Sequence, residues 1–210
     1  MASADAFSVE VRGTGGHGAM PHLSIDPITA AANILLGMQS IVSREIPAQE
    51  TAVLTVGQIV AGTKGNILPD RAIMKGTIRA FEPSVREHLV SRLGAFVTDI
   101  ARAYRAEADL RLDGGSCPAV VNHPRESTFV RQCASREVGA DAVSEGRVVM
   151  ASDDMSLFLR ERPGCYFRVG MVSVSGAARP HHGPEFEMNE AGLPVALRVG
   201  LAVMRSALAR

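Results

Sequence analysis

Residues 6–27 read AFSVEVRGTGGHGAMPHLSIDP, and the change of rhythm inside them sets the fold. Phe7, Val9 and Val11 alternate with Ser8, Glu10 and Arg12, the period of a strand with one buried face. A glycine-rich turn holding His17 follows, and Asp26-Pro27 then supplies an N-cap and a proline for the first turn of a helix. Strand, turn and helix thus follow one another within a few dozen residues.

Outward from this stretch the alternation continues. Ile34, Leu35, Met38, Ile41 and Val42 recur at helical spacing, and Pro47 stops the run. TAVLTVGQIVAG (51–62) and RAIMKGTIRAF (71–81) read as two strands joined by the turn-rich TKGNILPD (63–70). A second helix opens at Glu82-Pro83-Ser84 and carries Val85, Leu89, Leu93, Phe96, Val97 and Ile100, after which EADLRLD (107–113) resumes alternation. The order β-α-β-β-α-β predicts a ferredoxin-like sandwich, with both helices on one face of an antiparallel sheet and the other face open.

After DGGSCPAVVN (113–122) the pattern changes. A helix is expected over 125–138, a short strand at RVVM (147–150), a helix from Asp153, a strand at CYFRVG (165–170), a loop, and a closing helix from Glu190. Such alternation predicts part of an α/β layer with parallel strands.

Composition excludes several partners. The 210 residues carry 22 Lys+Arg against 22 Asp+Glu, and no basic cluster interleaved with aromatics points to nucleic acid. Three cysteines at wide spacing form neither zinc knuckle nor disulfide scaffold, which fits a reducing cytoplasm. No signal for export or anchoring to a membrane is expected from MASADAFSVEVRG (1–13).

Four places carry candidate chemistry. The glycines around His17 either make a plain strand-to-helix turn or clear space for that imidazole to reach a ligand. Arg79 shares a strand face with Lys75 and Thr77, opposite Met74, Gly76 and Ile78; there it is either a solvated arginine or a clamp for a carboxylate. Asn66 sits in a turn whose chemistry alone accounts for an asparagine. His181 and His182 adjoin in PHHGPEF (180–186), where at most one of two extended neighbours ligates a given metal. Ser152, Asp153 and Asp154 are explained as a helix cap and first turn, and the cysteines as small buried hydrophobes. His22, His88 and His123 show no partners in the pattern.

GTGGHGAMPH (13–22), DPITAA (26–31), GNILPD (65–70), GTIRAF (76–81), PAVVN (118–122), ASDDMSLF (151–158) and HHGPEFEMNE (181–190) together resemble, in the same order, the dimeric metal-dependent aminoacylases and peptidases of the hippurate hydrolase and indoleacetyl-amino-acid hydrolase branch. The resemblance implies a ferredoxin-like dimerisation lid over residues 7–115, followed at 118–210 by the C-terminal segment of an α/β metal-dependent catalytic domain. It implies that the N-terminal catalytic part, with most metal ligands, is absent or separately encoded, and that the chain is inactive alone. Position by position, His17 matches the lid histidine that polarises the scissile carbonyl in the partner subunit's site, and Asn66 the asparagine assisting it. Arg79 matches the arginine that binds the substrate carboxylate, and His182 a metal ligand.

The implied activity is hydrolysis of the amide bond of an N-acyl amino acid or related small molecule, in a homodimer using a divalent metal: zinc, manganese, cobalt or nickel. The rival expectation is a non-catalytic ferredoxin-like module that dimerises or binds a ligand on its open sheet face. Asp153-Asp154-Met155 departs from the family's usual Glu-Asp-Phe, and Gly183 replaces a commoner polar residue.

Overall fold

The computed structural model describes residues 1–171 and 183–209. The chain folds into two compact units, Met1–Val120 with Val149–Leu157, and Val121–Val148 with Phe158–Arg210.

In the first unit the long strands are β1 (Ala4–Arg12), β3 (Ala52–Ala61), β5 (Arg71–Ala80) and β6 (Glu107–Cys117). They form a four-stranded sheet in the order β3-β5-β1-β6, with antiparallel pairing throughout. Helices α1 (Pro27–Gly37) and α2 (Pro83–Ala103) cover one face. This is the expected ferredoxin-like arrangement of a mixed α/β chain.

The alternation in β1 sorts as the sequence predicts: Phe7, Val9 and Val11 are fully buried, while Ser8, Glu10 and Arg12 line the other face. Gly76 lies beneath the Phe7 ring, and a Cβ there would also meet the Thr55 carbonyl. Ile34, Met38 and Ile41 meet Leu89, Leu93 and Val97 over this layer. Burying an aliphatic side chain of this size is worth roughly 1.5–3 kcal/mol, so this layer supplies most of the unit's hydrophobic stabilisation.

Asp26 caps α1 as expected, accepting the Ile28 N–H at 2.9 Å and the Thr29 hydroxyl at 2.6 Å. The helical run reaches Glu45, two residues before Pro47, but changes type on the way. α1 itself ends at Gly37, where a Cβ would press on the Phe96 ring, and after a turn at Met38 the run continues into a π-helical turn at Ile41–Glu45. Glu45 fastens that turn to α2, accepting from Arg92 Nε at 2.6 Å and lying 3.2 Å from His88 Nε2. His88 therefore has a partner that helical spacing alone does not show.

A second, two-stranded sheet was not expected. β2 (Gly16–His17) pairs antiparallel with β4 (Ile67–Leu68), so the glycine turn and the 63–70 turn form one ribbon. Neither segment is long enough to show a period.

The second unit packs α3 (Pro124–Val138) against α5 (Gly192–Leu208) around Phe129, Cys133, Ala134 and Val199. The intervening helix α4 (Met155–Glu161) begins where Asp153, not Ser152, caps the first turn by accepting the Met155 N–H at 2.9 Å. The strands expected at 147–150 and 165–170 do not form, and no parallel pair occurs among the described residues. A strand needs a neighbouring ladder; at Tyr166 a side chain takes that place, the Asn122 amide donating to its carbonyl at 2.8 Å and accepting its N–H at 2.7 Å. His123 likewise has a partner, its Nδ1 accepting the Gly164 N–H at 3.2 Å. On α5, Leu193, Leu197, Leu201, Met204 and Leu208 recur at helical spacing with 39% to 84% of their surface exposed. They form an apolar stripe open to solvent.

Candidate functional site

His17 and Asn66 meet at the free end of the β2–β4 ribbon. His17 lies opposite Ile67 in the register, and the next backbone bond is the Gly18 N–H donating to the Asn66 carbonyl at 2.9 Å. Both side chains are exposed. The glycines make the ribbon possible: a Cβ on Gly18 would stand 3.1 Å from the Asn66 carbonyl oxygen, and one on Gly16 would overlap the buried Ser24 hydroxyl. The space that side chains at Gly16 and Gly18 would take is therefore filled by Ser24 and this chain's own backbone, while His17 stays exposed.

Within the ribbon one bond orients the imidazole. Nδ1 of His17 accepts the backbone N–H of Ala19 at 3.1 Å. An accepting Nδ1 carries no proton, so the neutral ring holds its proton on Nε2, pointing a donor outward. Sequence reasoning missed Ala19 because it acts through its backbone; the detectable signal is an i+2 N–H within reach of a turn histidine. Beside the ribbon a groove of about 390 Å³ is lined by Val60, Ile67, Pro69 and Arg71, among others.

Arg79 stands on the open face, half-buried, as its strand alternation predicts. Its Nη1 donates to the Met150 carbonyl at 2.9 Å and reaches the Ser152 hydroxyl at 3.5 Å. Among the described residues no partner takes the Nε–Nη2 edge, the edge that grips a carboxylate with two parallel bonds.

The structure does not bring the three residues together within one chain. The ribbon joins the sheet at the Arg12–Arg71 end, where the Gly13 N–H donates to the Asp70 carbonyl at 2.8 Å. Arg79 lies eight residues further along β5, roughly 26 Å at 3.3 Å per residue. His181 and His182 lie outside the described residues, and among those described no group of three or more His, Cys, Asp or Glu is placed to hold a metal ion.

The fold and the ribbon define an α+β domain of the ferredoxin-like class carrying a projecting histidine. Residues 3–105 match the model of the peptidase dimerisation domain of M20 type, and the proteins to which the chain is similar are described as amidohydrolases, deacetylases and peptidases. It is 33% identical over 198 residues to N-acetylcysteine deacetylase of Bacillus subtilis, covering 93% of this chain and 50% of the relative. To IAA-amino acid hydrolase ILR1-like 2 of Arabidopsis thaliana it is 31% identical, covering 97% of this chain and 47% of the relative. The crystal structure of the YXEP protein of Bacillus subtilis, described as a dinuclear metal-binding peptidase of the M20 family, superposes with a TM-score of 0.72 at 26% identity, covering 97% of this chain and 50% of that one. The chain thus spans about half the length of the relatives it matches.

Proposed function

We propose that the chain forms the lid, over residues 7–115, and the C-terminal catalytic segment, over 118–210, of a homodimeric amidohydrolase that cleaves N-acyl amino acids or related small molecules. The observation that carries this reading is the Ala19-to-His17 hydrogen bond, which leaves an Nε2–H donor at an exposed tip beside Asn66. Such a donor suits the oxyanion that develops as an amide carbonyl is attacked, and Asn66 offers a second N–H from its side-chain amide.

Arg79 orients the substrate by its carboxylate through the Nε–Nη2 edge. Because Arg79 and the ribbon tip stand at opposite ends of one sheet, a site that uses all three draws on two copies of the chain. The outer edge of β3 is suited to that pairing: among the described residues β3 pairs only with β5, and Ile59 and Val60 are 47% and 56% exposed.

The neighbour described as a dinuclear metal-binding peptidase supports a divalent metal, and zinc, manganese, cobalt or nickel are the ions proposed for it. The described donor set does not compose such a centre; His182 is one proposed ligand, and the others belong to a further catalytic segment. The apolar stripe of α5 supports such a segment packing there. Free Cys117, Cys133 and Cys165 support a reducing cytoplasmic setting, and no described helix is long and apolar enough to cross a membrane.

The open face of the four-stranded sheet supports a second reading, a non-catalytic dimerising or ligand-binding module. Metal analysis with an N-acyl-amino-acid hydrolysis assay separates the two, run on the chain alone and with the product of any adjacent upstream reading frame. Activity with the upstream piece supports the hydrolase; inactivity in both conditions supports the module.

A further inference from the structure

The open face of the sheet holds a set of charges that the proposed hydrolysis leaves unused. Ser8 on β1 lies opposite Lys75 on β5 and Arg111 on β6, so two cations bracket one hydroxyl. At about 4.8 Å between strands, the backbones of the two cations stand roughly 10 Å apart. Along β5, Ile73 and then Arg71 follow Lys75 on the same face, and Arg71 lies about 13 Å from Lys75. These residues, with Glu10 and Asp109, line a cavity of about 280 Å³.

The carboxylates of the face are already engaged. Arg12 holds Asp109 at 2.7 Å and Glu10 at 3.7 Å, and the Ser8 hydroxyl donates to Asp113 at 3.0 Å. Lys75, Arg71 and Arg111 are exposed, and among the described residues none of them forms an ion pair. The cavity therefore presents positive charge at both ends with the half-buried Ile73 between them. It is smaller than most cofactor pockets, and no aromatic ring lines it to stack a base.

From this order of cation, aliphatic surface and cation we infer that the open sheet face binds a small linear dicarboxylate. One carboxylate sits between Lys75 and Arg111 over Ser8, the methylene spacer crosses Ile73, and the second carboxylate meets Arg71. The site uses none of His17, Asn66, Arg79 or His182, so it stands independently of the proposed hydrolysis.

The test is titration of the intact chain with adipate at constant ionic strength, followed by amide chemical shifts. The expected result is saturable shifts at Ser8, Ile73, Lys75 and Arg111. Lys75→Gln with Arg111→Gln should weaken binding by about tenfold or more, since each removes a charge-assisted contact, and Arg79→Gln should leave it unchanged. Circular dichroism confirms that these exposed substitutions preserve the fold. Equal shifts from acetate or inorganic phosphate, binding abolished by Arg79→Gln, or no saturable response would each overturn the inference.

Discussion

Nδ1 of His17 accepts the backbone N–H of Ala19 at 3.1 Å, which leaves Nε2 as the proton-bearing nitrogen facing away from the ribbon. The imidazole is thereby oriented before any ligand arrives, and a pre-oriented donor needs no reorganisation when charge develops on a carbonyl oxygen. Nitrogen-15 spectra of the imidazole at a pH where His17 is neutral should show the Nε2–H tautomer. In the catalytically complete assembly, His17→Ala should lower turnover by roughly two to three powers of ten. An Nδ1–H tautomer, or turnover left intact, would remove the basis for the proposed role.

Gly13 tests the packing of the ribbon base. A Cβ at this position would overlap the Ile25 carbonyl and stand 3.0 Å from the Pro27 ring, at the entry to α1. Gly13→Ala should cost about 1–3 kcal/mol, the range for overpacking a site that cannot yield. Urea unfolding measures this directly, with an unchanged midpoint as the adverse result.

A buried ion pair ties the start of β1 to α2. Asp5 is 1% exposed, and Arg86 donates to its two oxygens at 2.6 Å each. Burial pushes the Asp5 carboxyl up, but hydrogen bonds from Arg86 and Ser116, with the Arg86 charge, hold it below its ordinary value of 3.8. A carboxyl depressed on folding stabilises the protein fully above that ordinary value, and the contribution drains away as pH falls through the depressed one. Arg86→Ala strands the buried carboxylate and should cost about 3 kcal/mol or more near neutral pH. Acid titration of the unfolding free energy should show the difference between the two proteins shrinking below the ordinary Asp range; a constant difference would contradict the pairing.

Dimerisation through β3 predicts a charge-sensitive edge. Val60→Lys places an ammonium on an exposed strand border, a substitution that blocks edge-to-edge pairing. Sedimentation equilibrium should show a dimer for the parent chain and a dissociation constant raised by about tenfold or more for the variant. An unchanged dimer would move the interface elsewhere.

What could be read in the sequence follows from how local each determinant is. The alternation of Phe7, Val9 and Val11, the Asp26 cap and the α2 stripe from Val85 to Val97 each announce themselves within a few residues, so the ferredoxin-like order was legible. The β2–β4 ribbon was not, because two residues carry no period and its pairing joins Gly16 to Leu68 across 52 positions. Nor could residues 165–170 reveal that Asn122 satisfies the backbone of Tyr166. Apolar β-branched runs favour extended chain, but pairing decides whether extended chain becomes a strand. Of the proposed site residues, His17, Asn66 and Arg79 were found through ordered motifs. Their separation, with Arg79 at the far end of β5 from the ribbon, required the sheet register.

In the proposed dimer one copy of the chain completes the site of the other, and mixed dimers measure this most directly. Copies carrying His17→Ala and copies carrying His182→Ala, each inactive in the complete assembly, are exchanged in equal amounts and assayed for N-acyl-amino-acid hydrolysis. Trans action predicts that activity returns to roughly a quarter of the parent level, since half of the two-fold dimers then hold one intact site. No recovery, with exchange verified by mass, would contradict it.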